Sequence, residues 1–180
     1  MILLLLFTAS CGENGGDTGD RLDEWLASVD SFTAEVAITA EFADRTVGFR
    51  LDCAVSDDVC TVKVIEPADI EGIEVAIEPS GVSVSYDGAS FEAGSAEDLG
   101  VQPVTAVAEL YRLFGGAVIS ERGSEKLGEC ECLTAVYLSG TSETRVWFDA
   151  ETLAPVRAEF FSDGVRTLSC EFVSFVMGGS

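Results

Sequence analysis

Apolar and polar positions alternate along most of this chain, and the alternation predicts its elements. Between Phe32 and Phe42, the residues Phe32, Ala34, Val36, Ile38, Ala40 and Phe42 take one face, and Thr33, Glu35, Thr39 and Glu41 take the other. A period of two marks a half-buried strand, because successive side chains of a pleated backbone point to opposite sides. The pattern recurs at Val47, Phe49, Leu51, Cys53 and Val55, and then at Cys60, Val62 and Val64, with Ser56-Asp57-Asp58 as the turn between them. Further strands are expected at Ile73–Ile77 and Val82–Tyr86, followed by an Asp87-Gly88 turn. Strands resume over roughly 117–123, 130–138, 143–149, 155–162 and 165–176, separated by turn residues such as Gly140-Thr141-Ser142 and Ser162-Asp163-Gly164.

The period changes twice. Behind Asp20, a suitable N-cap, Leu22, Trp25, Leu26 and Val29 recur at i, i+3, i+4 and i+7, which predicts a short helix. After Pro103, Val104, Val107, Ala108 and Tyr111 form a second helical stripe, widened by Leu110 and Phe114 and ended by Gly115-Gly116. No βαβ alternation is present, so the sheet should be antiparallel. About ten strands with one apolar face have to curl over something, and two helices are all there is to fill the curl. The expected class is α+β, mainly β: a curved antiparallel half-barrel wrapping one or two helices.

The N-terminus carries a different signal. Ile2 to Phe7 is continuously apolar and is followed by Thr8-Ala9-Ser10, Cys11 and Gly12. An apolar run of this length followed by small residues reads as a signal peptide and is too short to span a bilayer. The cysteine placed directly after the small residues resembles a bacterial lipobox. Thr8 stands where the motif more often has Leu, and no basic residue precedes Arg21. The resemblance implies that Cys11 is lipidated, palmitate included, and becomes the mature N-terminus on the extracytoplasmic face of the cell membrane. Two or more acyl chains, at ~0.8 kcal/mol per buried methylene, hold a protein stably. The expected organisation is a signal peptide over 1–10, the lipidated cysteine and a Gly-rich flexible tether over 11–19, and a β domain over 20–180.

Charge narrows the functions. With 32 acidic and 10 basic residues the formal net charge is -22. Such a surface repels nucleic acid, whose binding depends on Lys and Arg displacing counterions from phosphate. The chain has no histidine, which removes the commonest general base and metal ligand. The carboxylate pairs Asp57-Asp58 and Asp149/Glu151 read as turn residues, and Ser124 and Lys126 lie too close in sequence for a catalytic arrangement, so no enzyme is expected. Of six cysteines, five remain once Cys11 is set aside, an odd number that excludes a complete disulfide framework. Cys53 and Cys60 flank the first hairpin on its apolar face and are one candidate pair. Cys130, Cys132 and Cys170 offer a second, since the first two share a face and either could meet Cys170. Buried free thiols are the alternative to both. Cys130-Glu131-Cys132 supplies two local thiols and no histidine, so neither a metal nor a cofactor is expected.

The order of features resembles the LolA/LolB-like lipoprotein-carrier superfamily, in the lipidated form found in spore-forming bacteria, over about residues 20–176. The resemblance rests on SFTAEVAITAEF at 31–42 after a short helix, on Pro67, Ile70 and Gly72 following a strand, on Tyr86-Asp87-Gly88, and on Phe148-Asp149, Leu153 and Pro155 leading into paired closing strands. It implies an open half-barrel with helices plugging one side and an apolar cavity that takes lipid or acyl chains without chemistry. Inward-phase residues that would line such a cavity are Phe42, Phe49, Leu51, Val62, Val64, Val75, Ile77, Val84, Phe148 and Phe160. The same side chains would serve equally as plain core. Anchored members also include germination-related proteins that hold cell-wall enzymes, which makes an envelope scaffold the alternative. In that case a sheet edge or the outer face would bind a protein partner. Tyr137, Trp147, Phe161 and Phe175, all off the expected inward register, are the residues to watch for that role.

Overall fold

Two meanders, one from each half of the chain, join into a single antiparallel sheet of eleven strands in the computed structural model, which describes residues 15–178. Helix α1 (Gly15–Ser28) leads into the first: β1 (Phe32–Glu41), β2 (Thr46–Ser56), β3 (Val59–Glu66), β4 (Glu74–Glu78), β5 (Gly81–Tyr86) and β6 (Ala89–Gly94). A one-turn helix α2 (Ala96–Leu99) and α3 (Ala106–Phe114) lead to the second: β7 (Glu121–Leu127), β8 (Cys130–Ser139), β9 (Ser142–Asp149), β10 (Pro155–Ser162) and β11 (Val165–Met177). The strand order is β6-β5-β4-β3-β2-β1-β11-β10-β9-β8-β7, open at both edges. The first and last strands therefore pair at the centre, while β6 and β7 lie at opposite edges. The chain between those two has to cross the width of the sheet. This crossing places α3 on the inner face, where Ala106, Val107, Leu110, Leu113 and Phe114 are buried.

Local chemistry explains the elements. Alternation decides which face of each strand is buried: Val36, Ile38, Leu51, Val55, Val62, Val64 and Val82 are sealed from solvent, as their phase requires. Three hairpins turn on residue pairs that both lie in the left-handed region: Asp57-Asp58 (φ 52° and 62°), Asp87-Gly88 (49° and 80°) and Asp163-Gly164 (51° and 76°). That is the type I′ geometry whose twist matches the flanking strands, and aspartate tolerates it well among residues with a side chain. Asp57 and Asp58 are thus turn-formers. Asp58 also accepts from the Tyr111 hydroxyl at 3.4 Å, tying α3 to this hairpin.

Five details differ from the sequence expectation. Helix α1 begins at Gly15, within the segment read as tether, and Arg122 of β7 donates to the Gly19 carbonyl at 3.2 Å. Once Leu22 and Leu26 pack, extending a helix costs far less than starting one. Strand β7 occupies 121–127 where 117–123 was expected, and β6 was not foreseen. Both are edge strands with mostly exposed side chains, so neither carries an alternation to read. Phe175 faces inward because the β1–β11 register slips between Glu35 and Val36. The extra residue of the bulge reverses the phase, and Phe175 packs on Phe32 with ring centroids 4.9 Å apart. Tyr137 also belongs to the inner face, opposite Thr144 and in phase with Ala135.

Candidate functional site

The inner face is filled in its middle and hollow at one end. The filling is aromatic. Trp25 of α1 meets Phe148 of β9 at 5.7 Å and Phe114 of α3 at 6.2 Å between ring centroids, and Phe114 meets Phe148 at 5.6 Å. These tilted and edge-on contacts plug the space beneath both helices. Helix α3 ends at Phe114, and beyond it many of the side chains around the inner face are small. Ala40, Ala117, Ser139, Ser142, Thr144 and Ser162 are all small, and around them lies a cavity of about 670 Å³. That size falls within the ~300–1,000 Å³ typical of ligand pockets.

Its floor is one continuous row across the sheet. Tyr137 pairs with Thr144, Thr144 with Phe160, Phe160 with Leu168, and Leu168 with Ala40. Leu113 of α3 closes the side. Phe42, Val101, Val118 and Leu138 stand at the rim, four of the nine large apolar side chains exposed among the described residues. An apolar rim around a concavity is a recognised mark of a binding site. The charged groups in the wall are Glu41, Glu109, Glu143 and Arg112. Each carboxylate has its own arginine: Arg166 for Glu41 (2.5 Å), Arg112 for Glu109 (2.6 Å) and Arg145 for Glu143 (2.8 Å). Tyr137 contributes its ring to the wall. Its buried hydroxyl has no partner among the described residues, and burial pushes its pKa up to about 12.

Of the ten residues expected to line a cavity, Phe42 and Phe160 do so. Leu51, Val62, Val64, Val75, Ile77 and Phe148 sit in the closed core, and Phe49 and Val84 pack partly buried against it. Sequence reasoning passed over Val101, Leu113, Val118, Tyr137, Leu138 and Leu168. The available signal was apolar residues beside turns, such as Leu138 before Ser139-Gly140 and Phe42 before Ala43-Asp44, where hairpins are ordinarily polar. Cys11 lies outside the described residues.

The cysteines Cys53, Cys60, Cys130, Cys132 and Cys170 are free thiols. Cys53 stands opposite Val62 and Cys60 opposite Val55, so this candidate pair lies on a diagonal. Diagonal neighbours are about 7–8 Å apart, too far for the Cβ separation a disulfide needs. Cys170 faces the core, whereas Cys130 and Cys132 lie on the opposite face with β9 and β10 intervening, so neither meets Cys170. Burial pushes the Cys60 and Cys170 thiols up to about 12, and Cys53 higher still. Cys130 touches Cys132 at 3.4 Å and donates to Asp149 Oδ2 at 3.3 Å. Asp149 Oδ1 accepts from the backbone N–H groups of Thr152 and Glu151 at 2.7 and 2.9 Å. The Thr152 N–H is the main reason that the Asp149 carboxyl titrates below its ordinary range. This aspartate is held as a turn-former. No group of three or more metal-ligating side chains is suitably placed among the described residues.

The outer face of the second meander carries Trp147 and Phe161 without a helix above them. Trp147 is nonetheless only 4 % exposed. Arg145 and Arg157 lie over its ring at 5.9 and 5.8 Å, Arg145 also covers Phe161 at 5.9 Å, and Glu125 accepts from the indole N–H at 2.9 Å. Stacked guanidinium groups replace the missing layer.

The sequence matches no family model and no curated protein. Solved structures of similar shape are nevertheless known. An uncharacterized conserved protein from Thermus thermophilus aligns with a TM-score of 0.56 at 12% identity, over 91% of this chain and 87% of that one. A putative outer membrane lipoprotein-sorting protein domain from Vibrio parahaemolyticus gives 0.51 at 11% identity, over 89% and 91%. The lipoprotein LppX from Mycobacterium tuberculosis gives 0.50 at 14% identity, over 89% and 94%. At these identities the likeness concerns the fold, and the fold is LolA/LolB-like, a mainly β half-barrel as the sequence resemblance implied. No described helix is long and apolar enough to cross a membrane.

Proposed function

We propose that the chain is an extracytoplasmic lipoprotein, anchored through lipid on Cys11, whose half-barrel takes the acyl chain of a lipid into the end cavity and does no chemistry on it. The observation that carries the reading is the coincidence of about 670 Å³ of space with a rim of exposed Phe42, Val101, Val118 and Leu138. An apolar chain entering there removes those side chains from water, at roughly 25 cal/mol per Å² buried. The LolA/LolB-like fold and the likeness in fold to a lipoprotein-sorting domain and to the lipoprotein LppX support the same reading. Native mass spectrometry of the purified protein tests it: a co-purified or added lipid should appear as a one-to-one adduct. A protein that takes up no amphiphile at any concentration below micelle formation would sink the carrier role. Anchoring is tested separately. Cys11→Ala should move the protein from the membrane fraction to the soluble one, and an unchanged distribution would exclude lipid on Cys11.

A second reading, a scaffold for an envelope protein, is favoured by the edge strand β6, where Phe91 is 59 % exposed and neighbours an equally exposed Tyr86. A peptide adding a strand there would cover both. Phe91→Lys should abolish capture of such a partner and leave lipid uptake intact.

A further inference from the structure

We infer that the cavity selects an uncharged, hydrogen-bonding headgroup, hydroxyl- or ester-bearing as in a glyceride, over an anionic one. The inference rests on the acyl-chain reading above and adds the chemistry of the other end of the ligand. Thr144 is the starting point. It is 8 % exposed and sits in the floor between Tyr137 and Phe160, both apolar in their ring surfaces. It lines the cavity beside Tyr137, whose buried hydroxyl has no partner among the described residues. A hydroxyl left without a partner in an apolar floor is costly unless a guest or water supplies one. Ser139, Ser142, Ser162 and Gln102 in the wall add further neutral donors and acceptors.

Nothing in the wall is arranged for an anion. Arg112 is its single cation, and both its Nε and Nη2 are already given to Glu109 at 2.8 and 2.6 Å. The arginines just outside, Arg145 and Arg166, are held by Glu143 and by Glu41 with Glu159. An anionic headgroup would meet no uncommitted cation there, inside a chain of net charge -22, and its removal from water would go uncompensated. A cationic head would find its three carboxylates equally engaged. A neutral head uses what is unsatisfied and leaves the ion pairs alone.

The test compares three single-chain amphiphiles of equal chain length, monooleoylglycerol, oleate and oleyltrimethylammonium, by fluorescent-probe displacement from the unlipidated full chain. Monooleoylglycerol should bind about tenfold or more tightly than either ion. Thr144→Val should weaken monooleoylglycerol by about three- to tenfold, the value of one hydrogen bond, and leave oleate unchanged. Glu109→Gln releases Arg112 and should raise oleate affinity severalfold, a gain that cannot come from damage to the fold. Oleate or the ammonium binding as tightly as the glyceride overturns the headgroup inference while the acyl-chain reading survives. Failure of all three amphiphiles to bind overturns the acyl-chain reading itself.

Discussion

The two meanders solve the same problem with different materials. In the first, strands β2 to β4 build the inner face from medium aliphatic and thiol side chains: Leu51, Cys53 and Val55 on β2, Cys60, Val62 and Val64 on β3, Val75 and Ile77 on β4. They are alike in size and pack closed. In the second, large and small residues alternate more widely, with Phe148 and Phe160 beside Ala135, Ala158 and Thr144. Large side chains reach the helices and leave gaps where small ones cluster. Helix α3 buries its apolar stripe on the inner face and ends at Phe114, short of the small residues around the cavity. The comparison teaches that an opening in a half-barrel needs no special element. A change in the spread of side-chain volumes along the strand ends is sufficient.

Substitutions can break that contrast, beginning with the largest expected effect. Phe148→Ala removes the ring on which Trp25 and Phe114 converge and should cost about 3–5 kcal/mol in urea unfolding. Leu51→Ala in the closed half should cost about 2–5 kcal/mol and leave amphiphile affinity unchanged. A Leu51→Ala protein that lost binding in proportion to stability would show that the halves are not separate. Leu138→Glu, at the exposed rim, should do the opposite. Its stability should stay within about 0.5 kcal/mol of the parent while binding falls about tenfold or more, read by probe displacement.

Alkaline pH should sharpen the contrast further. Cys60 and Cys170 titrate near 12 in the folded chain, against an ordinary value of 9.0. Because the folded values are raised, the unfolded chain releases these protons first. The stabilisation is fully present below pH 9 and is lost as pH rises from 9 toward 12. Chemical unfolding across that window should show a decline of up to about 4 kcal/mol for each thiol, removed in turn by Cys60→Ala and Cys170→Ala. The smallest effect is expected from Arg122→Ala. It loses an exposed 2.6 Å ion pair to Asp23 and should cost at most about 1 kcal/mol, yet speed hydrogen exchange in α1.

Strands β1 and β2 were legible in the sequence nearly residue by residue, because Phe32–Ala40 and Leu51–Val55 alternate without interruption and their burial follows the same rhythm. Legibility failed where no rhythm exists. Strand β7, Glu121-Arg122-Gly123-Ser124-Glu125-Lys126-Leu127, carries mostly polar side chains, and its place is set by pairing with β8. Phe175 was misread because a bulge inverts the phase of a strand, and only the partner strand records where the extra residue falls. The depth of the cavity along the strands was not legible. Inward phase identifies Phe42 and Phe160 together with Leu51 and Val62, but whether space remains above a side chain depends on how far α3 reaches. That length is decided in three dimensions by Gly115 and by the crossing from β6 to β7.

The pairing of β1 with β11 has a consequence for how the molecule comes into being. Glu35 and Ser174, joined at 3.2 Å, are 139 positions apart, whereas every other strand contact in the sheet is made between neighbours in the chain. The sheet is therefore two local stacks of hairpins stitched along one long-range seam. Each stack can assemble as its own segment is made, but the seam has to wait for the thirteen-residue strand β11. Closing it is the slow event expected in folding, and until then the inner faces of both stacks stand open to water.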